Sequence, residues 1–121
     1  MPAPETVRRI KTYSSATGVV YQYQFYEVLP VKKAGGQGNL YKYYVSVDRK
    51  TMFTIQVFAE PSASEEYKKR FGRAISGTEE YAVAKMRLFK AFDEVEDLAK
   101  GRPELIVDAS NIEALLEQLD L

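Results

Sequence analysis

Residues 19–29 read VVYQYQFYEVL and residues 40–48 read LYKYYVSVD, two stretches rich in the β-branched and aromatic residues that strands favour. Residues 6–13 (TVRRIKTY) and 51–59 (TMFTIQVFA) have a similar composition. The four stretches are separated by short segments of turn-forming residues, which predicts two hairpins. The expected fold class is therefore α+β, a two-layer domain with a four-stranded antiparallel sheet followed by helices.

The connections between these strands contain the residues that turns require. Gly18 follows Ser15 at the position where a left-handed conformation closes a three-residue hairpin loop. Asp48 suits the start of the second turn, because its carboxylate can accept a nearby backbone N–H. Residues 30–39 (PVKKAGGQGN) contain Pro30 and three glycines, so we expect a flexible loop between the hairpins.

From residue 60 onward the apolar period changes to that of a helix. Ser62 and Glu65 have the capping-box spacing, which predicts a short helix that ends at Gly72. A long helix is expected from Thr78 to about Lys100, packed on one face of the sheet. Its apolar stripe consists of Tyr81, Ala84, Leu88, Phe92, Val95 and Leu98 or Ala99.

The last part of the chain leaves two alternatives open. Residues 104–107 (ELIV) fit either a short edge strand or an extended linker. Ser110 and Glu113 have the spacing of a second capping box, which predicts a short C-terminal helix. Its apolar face, formed by Ile112, Leu115, Leu116 and Leu119, requires a surface to dock on, either in its own domain or on a protein partner.

The length of 121 residues fits a single domain, 1–121. Within it we expect the sheet in residues 1–59, the helices in residues 60–101 and an acidic C-terminal segment with its helix in residues 102–121. The first residues lack the apolar run of a secretory signal, and no stretch approaches the ~20 apolar residues of a membrane span. These observations predict a cytoplasmic protein that has no membrane partner.

The composition excludes several kinds of chemistry. The chain has no cysteine and no histidine, which removes thiolate nucleophiles, disulfides, zinc sites of the usual kinds and the common general base near neutral pH. The segment KAGGQG lacks the GxxxxGK[ST] pattern of a phosphate loop and precedes a strand. A rigid helix brings only two of Asp93, Glu94, Glu96 and Asp97 to one side, so they are expected to be a solvated acidic face. We therefore expect no cofactor, no metal and no catalysis.

Charge is distributed unevenly although the net charge is zero. Residues 1–90 contain 15 Lys/Arg against 8 Asp/Glu, and residues 91–121 contain 2 against 9. Such asymmetry is compatible with a basic binding body that carries an acidic tail. The favoured interpretation is that the two parts neutralise each other, within one fold or across a dimer.

Strand side chains alternate between the two faces of a sheet, so each strand divides by parity. One face is apolar and is expected to lie against the long helix, with Tyr43 and Ile55 among its residues. The other face is polar with scattered aromatics, as expected of a surface that meets water or another molecule. Its candidate binding residues are Gln22, Gln24, Tyr26, Lys42, Tyr44, Gln56 and Phe58, joined by Arg8 from the first strand and by Lys32 and Lys33 from the loop.

Two functions compete for this face. Tyr, Phe, Met and Arg are favoured at the centres of protein interfaces, and two-fold dimers are the commonest oligomers. The leading expectation is thus a non-catalytic assembly or adaptor domain that self-associates. The alternative is binding of single-stranded nucleic acid or another anionic polymer, with rings stacking on bases and cations meeting phosphates. No RNP-type motif supports that alternative.

Overall fold

The computed structural model describes residues 10–33, 36–95 and 97–119 of the chain. Four strands come first along the chain and helices follow, as the sequence predicts, but a fifth strand lies between the last two helices. The strands are β1 (Lys11–Ser14), β2 (Val20–Lys33), β3 (Gly36–Ser46), β4 (Phe53–Ala59) and β5 (Leu105–Val107). The helices are α1 (Pro61–Phe71), α2 (Gly77–Glu94), α3 (Leu98–Gly101) and α4 (Ile112–Gln118).

The sheet has five strands in the order β1-β2-β3-β4-β5. The first four are antiparallel neighbours, but β5 runs parallel to β4, with Phe58 opposite Ile106. The prediction of a four-stranded antiparallel sheet is therefore correct only in part. Residues 105–107 of the segment 104–107 form the additional strand, and the helices between β4 and β5 form the long crossover that a parallel neighbour requires.

The two predicted turns have the expected chemistry. Gly18 has a φ of 90°, and its N–H donates to the carbonyl of Ser15. The carboxylate of Asp48 accepts the backbone N–H groups of Lys50 and Thr51, each at 2.8 Å. Of the predicted first strand, residues 6–9 lie outside the described part of the chain.

The prediction of a flexible loop over residues 30–39 is wrong for residues 30–33 and 36–39, and residues 34 and 35 lie outside the described part of the chain. β2 continues to Lys33 and β3 begins at Gly36, so the two strands form one long hairpin. Gly38 is required there for close packing, since a Cβ atom on it would lie 2.2 Å from the carbonyl oxygen of Ala59. Gly38 therefore allows a close approach between β3 and β4 and does not mark a loop.

Both predicted capping boxes are wrong, and the structure has one elsewhere. Pro61 opens α1 directly, and the hydroxyl of Ser62 instead accepts the N–H of Ala109. The capping box forms between Ser76 and Glu79 at the start of α2. Gly72 ends α1 in the left-handed conformation, as predicted.

The long helix is shorter than predicted. α2 ends at Glu94, Val95 is extended, and α3 begins separately at Leu98. The side chain of Asp97 accepts the N–H of Lys100, so it caps a new helix start and competes with continuation of α2.

The C-terminal helix docks on its own domain. Ile112, Leu115 and Leu116 are buried in the core, so this face is not available for a protein partner. The start of α4 is held by Asn111, whose amide donates to the carbonyl of Ile106 at 2.7 Å. The sequence left docking in cis or in trans open, and the structure shows docking in cis.

The core lies between α2 and the apolar face of the sheet. Phe92 stacks on Tyr21 with ring centroids 4.3 Å apart, and Phe89 stacks on Tyr13 at the same separation. Leu88 of α2 is fully buried in the same cluster. Aromatic pairs of this kind add about 0.5–1.5 kcal/mol each beyond the burial of their area, so they fix the position of α2 on the sheet.

Gly38→Ala tests the close packing of the hairpin. The added methyl group would meet the Ala59 carbonyl at 2.2 Å and the Phe58 ring at 2.8 Å. We expect the free energy of unfolding, measured by urea titration, to fall by about 1–3 kcal/mol. Gly77→Ala is the matched control, because its Cβ would contact nothing within 4 Å, and it should leave stability unchanged or raise it. Equal stability of the two variants would contradict this account.

Glu79 should make stability depend on pH. The Arg73 guanidinium, the Tyr67 hydroxyl and the Ser76 N–H all donate to its carboxylate and hold its pKa well below the ordinary value of 4.5. Because the folded pKa is depressed, the stabilisation is present above pH 4.5 and is lost as the pH falls below it. The stability difference between wild type and Glu79→Gln should therefore shrink from pH 7 to pH 3 in urea titrations.

Arg73→Met provides the second arm of that experiment. Its guanidinium is the largest cause of the lowered Glu79 pKa, so its removal should weaken the pH dependence of stability. A difference between wild type and Glu79→Gln that stays constant over the same pH range would show that the carboxylate contributes nothing through its charge.

Candidate functional site on the outer face of the sheet

The side of the sheet opposite α2 is here called the outer face. Tyr43 and Ile55 are buried on the inner face, with 0% and 1% of their surface exposed. Their neighbours Lys42, Tyr44 and Gln56 alternate to the outer face, where Lys42 and Gln56 are half-buried and Tyr44 is exposed. The parity on which the candidate face depends is therefore the observed one. Arg8 lies outside the described residues.

A β-bulge interrupts β2 at Tyr26. The pairing shifts between Phe25 and Glu27, so that Glu27 lies opposite Lys42 and Val28 lies opposite Tyr41. The extra residue reverses the parity of β2 beyond this point, because side chains alternate along a strand. Lys33 consequently shares the outer face, whereas Lys32 belongs to the opposite side.

Towards the end of the β2–β3 hairpin that contains Lys33 and Gly36, the outer face is apolar and its side chains are buried. Phe58 lies opposite Leu40, and these two side chains are only 2% and 7% exposed. The ammonium group of Lys33 lies over the Phe58 ring and also pairs with Glu104. Phe58, predicted as a contact residue, is therefore a packing residue, and Lys33 covers it.

The middle of the outer face is polar and electrically balanced. Lys42 lies between Glu27 on one side and Gln56 on the other. Its ammonium nitrogen is 3.7 Å from a carboxylate oxygen of Glu27. Lys42, which the sequence predicts as a possible phosphate contact, thus has a carboxylate beside it.

Two predicted aromatic residues are brought together. Tyr26 and Tyr44 stack with ring centroids 4.0 Å apart and an angle of 14° between the rings. Gln24 lies opposite Tyr44 in the ladder. Because each ring covers one face of the other, the pair offers less stacking surface than two separate rings.

The row nearest the turns contains two buried polar residues, Gln22 and Ser46. They lie opposite each other and line a pocket of about 290 Å³, together with Ile10, Thr12, Arg49 and Met52. The Ser46 hydroxyl accepts the Arg49 N–H at 2.8 Å, but the buried Gln22 Oε1 atom has no hydrogen-bond partner among the residues that the structure describes. Strand parity predicts Gln22 on the outer face. Only the structure shows that its Oε1 atom has no hydrogen-bond partner among the described residues.

A pair of lysines is a feature that the sequence did not indicate. Burial lowers the pKa of the half-buried Lys85, and the nearby charge of Lys11 lowers it further. The Lys85 ammonium lies 5.9 Å from the Tyr23 ring and 5.8 Å from the Phe89 ring. Lys11 and Lys85 lie on different elements far apart in sequence, so no local pattern could reveal the pair.

Glu80, in the first turn of α2, is a second carboxylate with organised partners. The amide of Asn39 and the hydroxyl of Tyr41 both donate to it, at 2.7 and 2.8 Å. Burial and the adjacent Glu80 charge raise the pKa of Tyr41 far above its ordinary value. Tyr41 therefore keeps its proton at neutral pH and serves as a hydrogen-bond donor.

The basic and acidic parts of the chain partly neutralise each other through ion pairs within the fold. Lys33 pairs with Glu104, and Arg70 pairs with Glu113. Each of these ion pairs joins the basic part of the chain to the acidic part. Asp93 also has a structural role, because it accepts the hydroxyl of Tyr13 and the N–H of Ala16, both at 2.8 Å.

Among the described residues, no group of three or more carboxylates is arranged to hold a metal ion. None of the helices in the same part of the chain is long and apolar enough to cross a membrane. A scan against protein-family models finds no match, and searches of curated proteins and of solved structures find no significant one.

Substitution of the two buried polar residues of the pocket should have different effects on the free energy of unfolding. Gln22→Leu removes an unpaired acceptor, so the free energy of unfolding should stay the same or rise by up to about 1 kcal/mol. Ser46→Ala removes the hydroxyl that accepts the Arg49 N–H, so the free energy of unfolding should fall by about 1–2 kcal/mol. Urea titration at concentrations where the protein is monomeric distinguishes them. A large loss of stability in Gln22→Leu would contradict the assignment.

Proposed function

We propose that this chain is a non-catalytic assembly domain that associates with a second copy of itself through the outer face. The contact surface is the outer patch, which we define as Ile10, Val20, Tyr44 and Met52. The observation that supports this proposal is that these four large apolar side chains are exposed together on one side of the sheet.

The exposure of the outer patch supports a protein contact. Its side chains are exposed by 63% (Ile10), 42% (Val20), 38% (Tyr44) and 44% (Met52). All four lie around the Gln22–Ser46 row, with Val20 and Met52 next to the hairpin turns. Exposed apolar residues that cluster in one patch are typical of interaction surfaces, whereas scattered ones are ordinary.

Charge supports a second copy as the partner. The chain has 17 Lys/Arg and 17 Asp/Glu, so two copies do not repel each other through net charge. On the outer face, Lys42 is beside Glu27 and adds no strong field of one sign. A two-fold contact brings one patch against itself, which an apolar and nearly neutral surface tolerates.

Single-stranded nucleic acid remains the alternative ligand. The exposed ring of Tyr44 next to Lys42 on the same strand favours it. Against it stand the carboxylate beside Lys42 and the ion pair of Lys33 with Glu104, because cations that are already paired attract phosphates weakly.

Tyr44→Lys and Met52→Lys test self-association. Each places a charge in the middle of the outer patch, where two copies would bring like charges together. We expect wild type to form a dimer at micromolar concentration in sedimentation equilibrium and each variant to weaken the dimer at least about tenfold. Phe71→Lys is the matched control, because Phe71 is 40% exposed on α1, outside the patch.

Two outcomes would count against the proposal. A wild-type monomer at several hundred micromolar would remove self-association, and equal weakening by Phe71→Lys would remove the outer patch as its site. Binding of a fluorescent single-stranded oligonucleotide at low salt, lost in Tyr44→Lys, would favour the alternative.

A further inference from the structure

Two lysine side chains lie side by side at the edge of the sheet, on the side that α2 covers. Lys11 lies opposite Tyr23 in the β1–β2 ladder. Two positions later in β1, Tyr13 stacks on Phe89 of α2, so the Lys11 side chain shares that inner face. The Lys85 ammonium group on α2 lies 5.9 Å from the Tyr23 ring and 5.8 Å from the Phe89 ring. The Lys11 side chain is close enough to interact with it.

The lysine pair has no counter-charge within the described residues. Neither Lys11 nor Lys85 forms an ion pair in that part of the chain. Burial raises the pKa of Tyr81, one turn before Lys85, and raises the pKa of Tyr23 to about 12, so neither hydroxyl becomes an anion at neutral pH. Because both lysines are half-buried, water screens the repulsion between their charges less well than at an exposed position.

We propose that Lys11 and Lys85 form a binding site for a doubly charged oxyanion, the phosphate group of free phosphate or of a phosphate monoester. An anion between the two ammonium groups replaces their mutual repulsion with two charge-assisted hydrogen bonds. The site lies on the α2 side of the sheet, so it does not depend on self-association through the outer patch.

The charge of the pair favours phosphate over a carboxylate. A phosphate monoester is largely a dianion above its second pKa of about 6, so one group balances both lysines, whereas a carboxylate balances only one. Each ammonium group can donate to a different phosphate oxygen, because lysine binds phosphate as a point charge without a fixed planar geometry. The rings of Tyr23 and Phe89 exclude water from one side of the Lys85 ammonium group, which strengthens its attraction to an anion.

The test is a titration with inorganic phosphate and with phenyl phosphate, followed by the amide chemical shifts of the protein in NMR spectra at pH 7.5 and constant ionic strength. Both probes should give saturable shifts centred on Lys11 and Lys85. Tighter binding of phenyl phosphate supports the site and identifies phosphate esters as its ligands, whereas equal affinity supports it as a site for free phosphate. Equal shifts with sodium chloride, or equally tight binding of acetate, would overturn the proposal.

Two substitutions assign the binding to the lysine pair. Lys11→Met and Lys85→Met should each raise the phosphate dissociation constant at least about tenfold, since each removes one charge-assisted hydrogen bond. Methionine retains a flexible apolar chain, so it removes the charge with little change in packing on the rings. Lys90→Met is the matched control, because it removes the same charge from another side of α2 and should change the dissociation constant less than about twofold.

Three further results would contradict the assignment. They are the absence of saturable phosphate binding to wild type, an unchanged dissociation constant in either Lys11→Met or Lys85→Met, and equal weakening by Lys90→Met. Lys11 lies in β1, the strand at the edge of the sheet, so Lys11→Met keeps the test decisive even if Lys85→Met alters folding. The outer patch is tested separately by Tyr44→Lys, so the failure of one proposal leaves the other in place.

Discussion

The packing of α2 on the inner face of the sheet is the contact on which the rest of the structure depends. Phe92 and Phe89 stack on Tyr21 and Tyr13, so one helix covers the first two strands. α4 buries its apolar residues in the same core. With these helices on the inner face, the apolar side chains of the outer patch stay exposed.

The bulge at Tyr26 determines the chemistry of that exposed face. Without it, Glu27 would point inward and Val28 outward, since side chains alternate along β2. With it, Glu27 lies beside Lys42 and balances its charge. One extra residue therefore places a carboxylate beside the Lys42 ammonium group on the outer face.

Local signals predicted the features that involve only neighbouring residues. Gly18, Asp48 and Gly72 adopt the conformations expected of them, because turns and helix ends are set by a few adjacent dihedrals and hydrogen bonds. The capping-box pattern failed at Ser62, whose hydroxyl instead binds the N–H of Ala109, 47 positions away. The same pattern is used at Ser76. Spacing alone cannot distinguish these two sites.

The alternation and composition of the strands by themselves determined an α+β fold, two hairpins and the division of the sheet into an apolar and a polar face. Only the tertiary structure decided that residues 30–33 and 36–39 are strand and that residues 105–107 join the sheet. It also decided that Phe58 is buried and that the Gln22 Oε1 atom has no partner among the described residues. The physical reason is that these outcomes depend on which distant atoms share a space. Gly38 against the Ala59 carbonyl is a contact of that kind, which periodicity along the chain does not record.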